Sequence, residues 1–204
     1  PRALRPRVET GSGSPVASGS RNAQRDSAIG SQPGLRTASV INGIDVLVKQ
    51  NFAPLKGLKI GLITNQSGTD RDRNATIDLL SRAPGVALKA LFSPEHGIRG
   101  LLDEKVPDSV DAKTGLPIYS LYGERRSPAP EQLRDLDALV FDIQDIGCRF
   151  YTYISTLGLS LEAASRAHLK FFVLDRPNPI NGVALDGPLL AGETSFTAFH
   201  PIPV

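Results

Sequence analysis

The amino-acid sequence predicts an α/β fold with a mostly parallel sheet covered by helices on both faces. Two observations lead to this prediction. Short apolar runs alternate with helical patterns along the chain, and this alternation is typical of parallel sheets. In addition, four of the apolar runs are followed directly by polar side chains. Because ligands of open α/β folds bind outside the carboxyl ends of the strands, these positions are candidate functional sites.

The predicted strands are the short apolar segments. Four of them lie at residues 58–64, 87–92, 138–143 and 170–174, and a shorter one lies at 118–121. The stretch between the second and the shorter strand, residues 97–115, is charged and lacks an apolar pattern, so we expect an irregular loop there.

Four helices are predicted, three of them from apolar residues at helical spacing. They lie at residues 40–48, with Asn42 as candidate cap, at 74–83, from Pro130 onward, and at 153–167. Pro84 and Gly85 end the second helix. Pro130 opens the third, since proline is favoured in the first helical turn. Residues 181–192 are predicted to be rich in turns.

Residues 1–38 are predicted to be a disordered leader or linker, because they are rich in Gly, Ser, Arg and Pro and have no apolar period. Residues 39–204 are then one domain, and the 40% hydrophobic content of this 204-residue chain suffices for one buried core. The chain has no methionine, even at position 1, and its last residues carry no signal that ends an element. We therefore expect a fragment or a processed product.

Composition argues against several classes of function. The net charge is +2, so we expect no nucleic-acid partner and no anionic membrane partner. The single Cys148 excludes a disulfide scaffold, and we interpret it as a small buried side chain. Three histidines without an HxxH or HExxH string predict no metal site, and the lack of GxGxxG and GxxxxGK[ST] strings predicts no nucleotide cofactor. No segment is long and apolar enough to span a membrane.

The segment LFSPEHGIRG places two titratable side chains, Glu95 and His96, just after the second predicted strand. Two neighbours that can carry a proton form a candidate acid/base site. Apolar Phe92 and Pro94 next to Glu95 would raise its pKa and favour a general acid. Alternatively, Glu95 is a loop carboxylate that pairs with Arg99. His96 orients a carboxylate, binds substrate or fills a polar niche.

The segment FDIQDIGCRFYTY follows the third predicted strand. Asp142 and Asp145 are candidates for a second carboxylate or for helix caps. The Gln144 amide suits sugar hydroxyl or acetamido groups. Arg149 holds a carboxylate substituent of the ligand or neutralises one of the aspartates. Two tyrosines either stack on a sugar or pack in the core; they are Tyr151 and Tyr153.

Polar residues also follow the first and fourth predicted strands. In the segment ITNQSG, Asn65 binds ligand or stabilises the turn. In the segment LDRPNP, Asp175 and Arg176 are expected to form an internal ion pair rather than a catalytic couple. Asn178 lies between two prolines, and this rigid position suits a binding amide.

Taken together, ITNQSG, LFSPEHGIRG, FDIQDIGCRFYTY and LDRPNPINGVALDGPLL resemble the bacterial exo-β-N-acetylmuramidases of the NamZ type, a family formerly called a domain of unknown function. The resemblance covers about residues 40–204. It implies that this chain is a Rossmann-like three-layer N-terminal catalytic domain, truncated at its C-terminal end. It also implies a partner, namely the missing C-terminal domain of the same polypeptide, which would form the other wall of the cleft.

The resemblance further implies hydrolysis of non-reducing terminal N-acetylmuramic acid from peptidoglycan fragments, without a cofactor, by a secreted or periplasmic protein of cell-wall recycling. The positions that match catalytic candidates of the family are Glu95, His96 and Asp142. Those that match substrate-binding positions are Asn65, Gln144, Asp145, Arg149, Tyr151, Tyr153, Asp175, Arg176 and Asn178. Glycoside hydrolysis needs an acid and a second group, which is either a protein carboxylate or the substrate's 2-acetamido group.

Two other functions remain open from the sequence. The same cleft would serve a non-catalytic carbohydrate-binding module of the cell wall. A different hydrolase, such as an esterase or amidase acting on the peptide part of the wall, is also compatible with these residues. For a truncated glycosidase, we expect weak activity or none from this chain alone.

Overall fold

The computed structural model describes residues 40–94, 97–98, 108–123 and 125–203. The predicted leader lies outside these residues, and so do Glu95, His96 and Arg99. The predicted domain boundary near residue 38 stays a prediction.

Strands and helices alternate along the described residues, as expected. The strands are β1 (Lys59–Thr64), β2 (Ala87–Ser93), β3 (Ser109–Val110), β4 (Pro117–Ser120), β5 (Ala138–Asp142) and β6 (Lys170–Val173). The α-helices are α1 (Gly43–Lys49), α2 (Thr76–Ser81), α3 (Pro130–Leu133) and α4 (Tyr153–Arg166), and a 3-10 turn covers Ala53–Leu55. No helix in this part of the chain is long and apolar enough to cross a membrane.

The six strands form one sheet in the order β3-β4-β2-β1-β5-β6. All neighbouring pairs are parallel except β3 and β4. From β1, the chain builds the sheet outward first through β2 and β4 and then through β5 and β6, so the strand order reverses between β1 and β5. This is the doubly wound arrangement, and the predicted α/β, Rossmann-like fold is confirmed.

Helices cover both faces of the sheet, which gives three layers. On one face, Ile44 and Leu47 of α1 and Ile77 and Leu80 of α2 belong to one core cluster. On the other face, α3 and α4 contribute to a second cluster through Leu133, Tyr153, Ala163 and Ala164. Every residue of β5 is buried, because the strand lies between the two clusters. Central strands of parallel sheets are continuously apolar for this reason.

Two details differ from the sequence predictions. Residues 97–115 were expected to form an irregular loop, yet Ser109–Val110 pairs with β4 in the antiparallel direction. Two exposed residues carry no apolar pattern, so only pairing with a neighbour reveals this strand. Asn42 occupies the N-cap position of α1, but its side chain makes no capping hydrogen bond.

The start of α1 lies directly against the chain that follows β6. The Gly43 amide donates a hydrogen bond to the Asp175 carbonyl at 2.7 Å. A Cβ added at Gly43 would lie 2.5 Å from the Asp175 nitrogen and 2.6 Å from the Leu174 backbone. This close backbone contact therefore requires glycine.

We expect Gly43→Ala to lower the free energy of unfolding by about 1–3 kcal/mol, because α1 must move away from the Leu174 backbone. Urea denaturation monitored by circular dichroism measures this loss. Gly182→Ala is the matched control, because a Cβ there meets nothing within 4 Å. We expect the control to stay within about 0.5 kcal/mol of the parent chain. Equal stability of the two variants would contradict the close-contact argument.

Candidate functional site

The candidate site lies at the carboxyl ends of β1 and β5, where the strand order reverses. Such a switch point opens a crevice between neighbouring loops. The two strand ends are joined by a hydrogen bond in which the Thr64 hydroxyl donates to the Asp142 carbonyl oxygen at 2.8 Å. The Rossmann-like sheet thus brings together two polar segments that are distant in sequence.

Asp142 and Arg176 form a buried, two-pronged salt bridge at this edge. Arg176 Nε donates to Asp142 Oδ1 at 2.7 Å, and Nη2 donates to Oδ2 at 3.0 Å. The Asp142 side chain is 0% exposed and that of Arg176 is 7% exposed. Arg176 Nη2 also donates to the Thr69 carbonyl oxygen at 2.8 Å, and the Thr76 hydroxyl of α2 donates to Asp142 Oδ2.

Burial raises the pKa of the Asp142 carboxyl above its ordinary value, while the hydrogen bonds and the positive charge of Arg176 oppose this rise. Both carboxylate oxygens of Asp142 contact protein groups, as described above. This arrangement favours a positioning role for Asp142, and its predicted catalytic role stays a prediction.

The prediction of an internal ion pair between Asp175 and Arg176 is wrong. The Arg176 side chain binds Asp142 instead, and Asp175 accepts the backbone N–H of Arg176 through Oδ1 at 2.9 Å. The physical reason is burial. Asp175 is exposed to solvent, whereas Asp142 would be a buried charge without a cation if Arg176 turned away.

A hydrogen-bond chain connects the loops after β1 and β5. Asn65 Oδ1 accepts hydrogen bonds from the Ser67 amide at 2.9 Å and from the Ser67 hydroxyl at 2.6 Å. Ser67 Oγ in turn accepts a hydrogen bond from the backbone N–H of Gln144 at 2.9 Å. Since the Ser67 amide must face an oxygen, the orientation of the Asn65 amide group is determined. Asn65 Nδ2 is buried and has no hydrogen-bond partner among the described residues.

Gln144 and Asp145 continue this chain of contacts. Gln144 Nε2 donates to the carbonyl oxygens of Asp145 at 2.7 Å and Pro177 at 3.0 Å. Asp145 Oδ1 accepts the Gly147 amide at 2.7 Å, while its Oδ2 is buried and lacks a hydrogen-bond partner within the part of the chain that is described. The site therefore holds a buried NH2 group on Asn65 and a buried carboxylate oxygen on Asp145 that have no hydrogen-bond partner among the described residues.

Asn178 lies beside the glycine of this loop. A Cβ on Gly147, which has a φ of +82°, would collide with the Asn178 amide group, so the contact requires glycine. Asn178 Oδ1 accepts the Ile180 amide at 3.0 Å, and its side chain is exposed.

Three of the predicted site residues face other parts of the protein. Arg149 Nη1 donates to the Pro188 carbonyl oxygen at 3.0 Å and to the Ile202 carbonyl oxygen. Tyr151 and Tyr153 pack edge to face with ring centroids 4.8 Å apart. Tyr153 is 5% exposed and belongs to the core cluster beneath α4. The two tyrosines show the packing alternative, whereas the contacts of Arg149 match neither of its two predicted roles.

The structure thus brings together most of the predicted positions around the ends of β1, β5 and β6. These are Asn65, Asp142, Gln144, Asp145, Asp175, Arg176 and Asn178. Their predicted roles stay predictions. The predicted acid Glu95 and its neighbour His96 lie outside the described residues. Sequence reasoning missed Thr76, because no local signal connects it to Asp142, 66 positions away.

No three acidic, His or Cys side chains form a group that could hold a metal ion within residues 40–94, 97–98, 108–123 and 125–203. The polar atoms of the site are instead amide, hydroxyl, carboxylate and guanidinium groups, which bind polar organic ligands by hydrogen bonds.

A family profile described as "Exo-beta-N-acetylmuramidase NamZ, N-terminal" matches residues 60–204. The chain belongs to this family. Over 168 residues it is 47% identical to the peptidoglycan beta-N-acetylmuramidase NamZ of Bacillus subtilis (strain 168), covering 81% of this chain and 41% of that protein. The chain therefore spans about two fifths of the length of this curated NamZ relative.

Two crystal structures of DUF1343 family proteins from Bacteroides fragilis NCTC 9343 are similar to this NamZ-type domain. One, BF0371, has a TM-score of 0.76 and 51% identity, covering 80% of this chain and 41% of that chain. The other, BF0379, has a TM-score of 0.69 and 36% identity, covering 82% of this chain and 43% of that chain. The fold and the family predicted from the four motifs are confirmed.

We expect Arg176→Gln to lower the free energy of unfolding by about 3–5 kcal/mol at neutral pH, because the substitution leaves the Asp142 carboxylate buried without a cation. With Arg176 removed, only the Thr76 hydrogen bond still opposes the effect of burial, so the pKa of Asp142 rises further. The folded variant then binds a proton more readily than its unfolded form does, so the loss is largest above the raised pKa and decreases as the pH falls through it.

Urea unfolding of the parent chain and of Arg176→Gln at about pH 7 and about pH 5 measures both the loss and its pH dependence. Arg166→Gln is the control, because it removes an exposed 3.5 Å pair with Glu162 that is worth about 0.3–0.5 kcal/mol. A loss for Arg176→Gln that is as small as that of the control would show that the buried pair does not stabilise the fold.

Proposed function

We propose that this chain is the N-terminal part of a glycoside hydrolase that releases N-acetylmuramic acid from the non-reducing ends of peptidoglycan fragments. The observation that carries the proposal is the 47% identity with the peptidoglycan beta-N-acetylmuramidase of Bacillus subtilis. The chain covers only 41% of that relative. The activity of the whole enzyme is therefore proposed for the longer protein of which this chain would be the N-terminal part.

In this proposal Glu95 is the general acid that protonates the leaving glycosidic oxygen, and His96 orients it. A second group must stabilise or attack the anomeric carbon. Asp142 is fully buried and bonded through both oxygens, which supports a positioning role for this residue. The 2-acetamido group of the substrate is then the candidate for the second group.

Two buried polar atoms that have no hydrogen-bond partner among the described residues support recognition of an acetamido group. An acetamido carbonyl accepts a hydrogen bond, and an acetamido N–H donates one. Asn65 Nδ2 offers the donor and Asp145 Oδ2 the acceptor, and the contacts through Ser67 and Gln144 hold the two loops together. Buried polar atoms are normally paired, so unpaired ones at a switch point are candidates for ligand contacts.

The remainder of the polypeptide is proposed to close the cleft. The segment after β6 exposes large apolar side chains, and exposed apolar patches mark interaction surfaces. Their exposed fractions are 59% for Ile180, 93% for Val183, 85% for Leu185 and 65% for Leu189. We also propose a secreted or periplasmic location and a role in cell-wall recycling, because peptidoglycan lies outside the cytoplasmic membrane.

We expect a chain extended through the region that its relatives contain to hydrolyse a chromogenic β-N-acetylmuramide in preference to the β-N-acetylglucosaminide. Glu95→Gln should lower kcat by about 10²–10⁴-fold and leave binding unchanged, because the amide cannot donate a proton to the leaving oxygen. Glu131→Gln on α3 is the control, because it removes an exposed carboxylate. Binding of the muramide without turnover in the extended, folded chain would favour a carbohydrate-binding module instead.

We expect Asn65→Asp to weaken binding of N-acetylmuramic acid by about tenfold or more, because it replaces the amide donor by an oxygen. The variant keeps the oxygen that accepts from Ser67. Asp145→Asn likewise removes an acceptor and keeps the contact with Gly147. Isothermal titration calorimetry with N-acetylmuramic acid and with de-N-acetylated muramic acid measures the effect.

Asn181→Asp is the matched control for these titrations, because Asn181 is exposed and its Oδ1 accepts only local backbone N–H groups of the turn, those of Val183 and Ala184. If the two site variants weakened binding of both sugars equally, Asn65 and Asp145 would not recognise the acetamido group.

A further inference from the structure

Four arginines surround one cleft on the face of the sheet that α3 and α4 cover. The cleft has a volume of about 710 Å³, and the arginines are Arg125, Arg126, Arg134 and Arg166. No acidic residue lines this arginine cleft among the residues that the structure describes. Its volume lies within the range of ligand-binding clefts.

The arginine cleft is separate from the candidate saccharide site. Its lining includes Leu136, two residues before the amino end of β5, and Leu169, immediately before the amino end of β6. The saccharide site lies at the carboxyl ends of β1 and β5, beyond Thr64 and Asp142. Because β5 and β6 are parallel, the arginine cleft extends to the opposite end of the sheet.

The guanidinium groups of this cleft are available to a ligand. Arg126 lies over the ring of Phe196, with its guanidinium carbon 4.3 Å from the ring centroid. Stacking on an aromatic ring restrains a guanidinium and leaves its in-plane N–H groups free for a two-pronged contact. Arg166 makes a 3.5 Å pair with Glu162, and both side chains are more than half exposed. Such exposed pairs are weak and are easily exchanged.

Two acidic residues of α3 and the turn after it face a different cleft. Glu131 and Asp135 line a second cleft together with Lys59 and Lys89. The positive charge of the arginine cleft is therefore a local feature, although the net charge of the whole chain is only +2. A concave surface with one sign of charge attracts ligands of the opposite sign.

Apart from Ser127, the other lining residues are apolar, and they would select among anionic ligands. They include Leu133, Leu136, Ala163, Ala167 and Leu169. A phosphate polymer would pair with the arginines but would leave this floor exposed to water. An acidic peptide carries carboxylates for the guanidinium groups and apolar side chains for the floor, so it complements both parts of the surface.

We propose that the arginine cleft is a docking site for an acidic, amphipathic peptide segment of a partner protein. Carboxylates of the segment pair with Arg126 and Arg134, and its apolar side chains cover Leu133 and Leu169. The proposal does not depend on the glycosidase activity, because the cleft and the saccharide site share no lining residue described above.

The test is fluorescence anisotropy of this chain with a labelled, end-blocked peptide of alternating glutamate and leucine, at salt concentrations of about 50 and 200 mM. The same peptide with glutamine in place of glutamate and an oligomer of glycerol phosphate are the comparison probes. We expect the glutamate peptide to bind most tightly, the glutamine peptide to bind at least about tenfold more weakly, and added salt to weaken binding.

The double variant Arg126→Gln with Arg134→Gln should weaken binding of the glutamate peptide by about tenfold or more, because it removes two charged donors from the cleft. The double variant Lys59→Gln with Lys89→Gln removes the same charge from the other cleft and should change binding by less than about twofold. All four side chains are exposed, so both variants should keep the unfolding midpoint of the parent chain.

Three results would overturn the proposal. Equal losses in the arginine and lysine variants would indicate attraction by net charge alone. Tighter binding of glycerol phosphate than of the glutamate peptide would indicate a site for phosphate polymers. Loss of peptide binding in a chain extended through the region that its relatives contain would show that the polypeptide itself occupies the cleft.

Discussion

The buried salt bridge between Asp142 and Arg176 is the interaction on which the candidate site depends. It joins the end of β5 to the chain after β6, and hydrogen bonds from Arg176 and Thr76 connect it to the loop after β1 and to α2. A buried carboxylate and a buried guanidinium each require the other, because either one alone would be a desolvated charge. The salt bridge and its hydrogen bonds thus fix the end of β5, the chain after β6, the loop after β1 and α2 relative to one another, at the point where the strand order reverses.

The hydrogen bonds that run from Asn65 through Ser67 to Gln144 depend on this arrangement of the loops. Each of these hydrogen bonds crosses between the loops after β1 and β5 or orients one of them. As a result, Asn65 Nδ2 and Asp145 Oδ2, which lack a partner within the described part of the chain, belong to side chains that other hydrogen bonds hold in place. A site of this kind is preorganised, so a ligand need not order the side chains that bind it.

Much of the fold follows from local patterns. Apolar runs predicted β1, β2, β4, β5 and β6, and helical spacing predicted α1, α2 and α4, because burial against both faces of a parallel sheet imposes these patterns on the sequence. The proline at position 130 predicted α3. The motifs that follow the strands also indicated the family, because four motifs of several residues each, in a fixed order, are more specific than one short pattern. The antiparallel strand Ser109–Val110 escaped prediction, because two exposed residues carry no periodicity.

The sequence by itself determined the α/β class, the family and the set of polar residues that follow the strands. Only the tertiary structure decided which of these residues meet. Arg176 pairs with Asp142 rather than with its neighbour Asp175, and Arg149 binds the carbonyl groups of Pro188 and Ile202 rather than an aspartate. The reason is that partner choice depends on burial and on distances across the sheet, and neither is encoded in the residues adjacent to a motif.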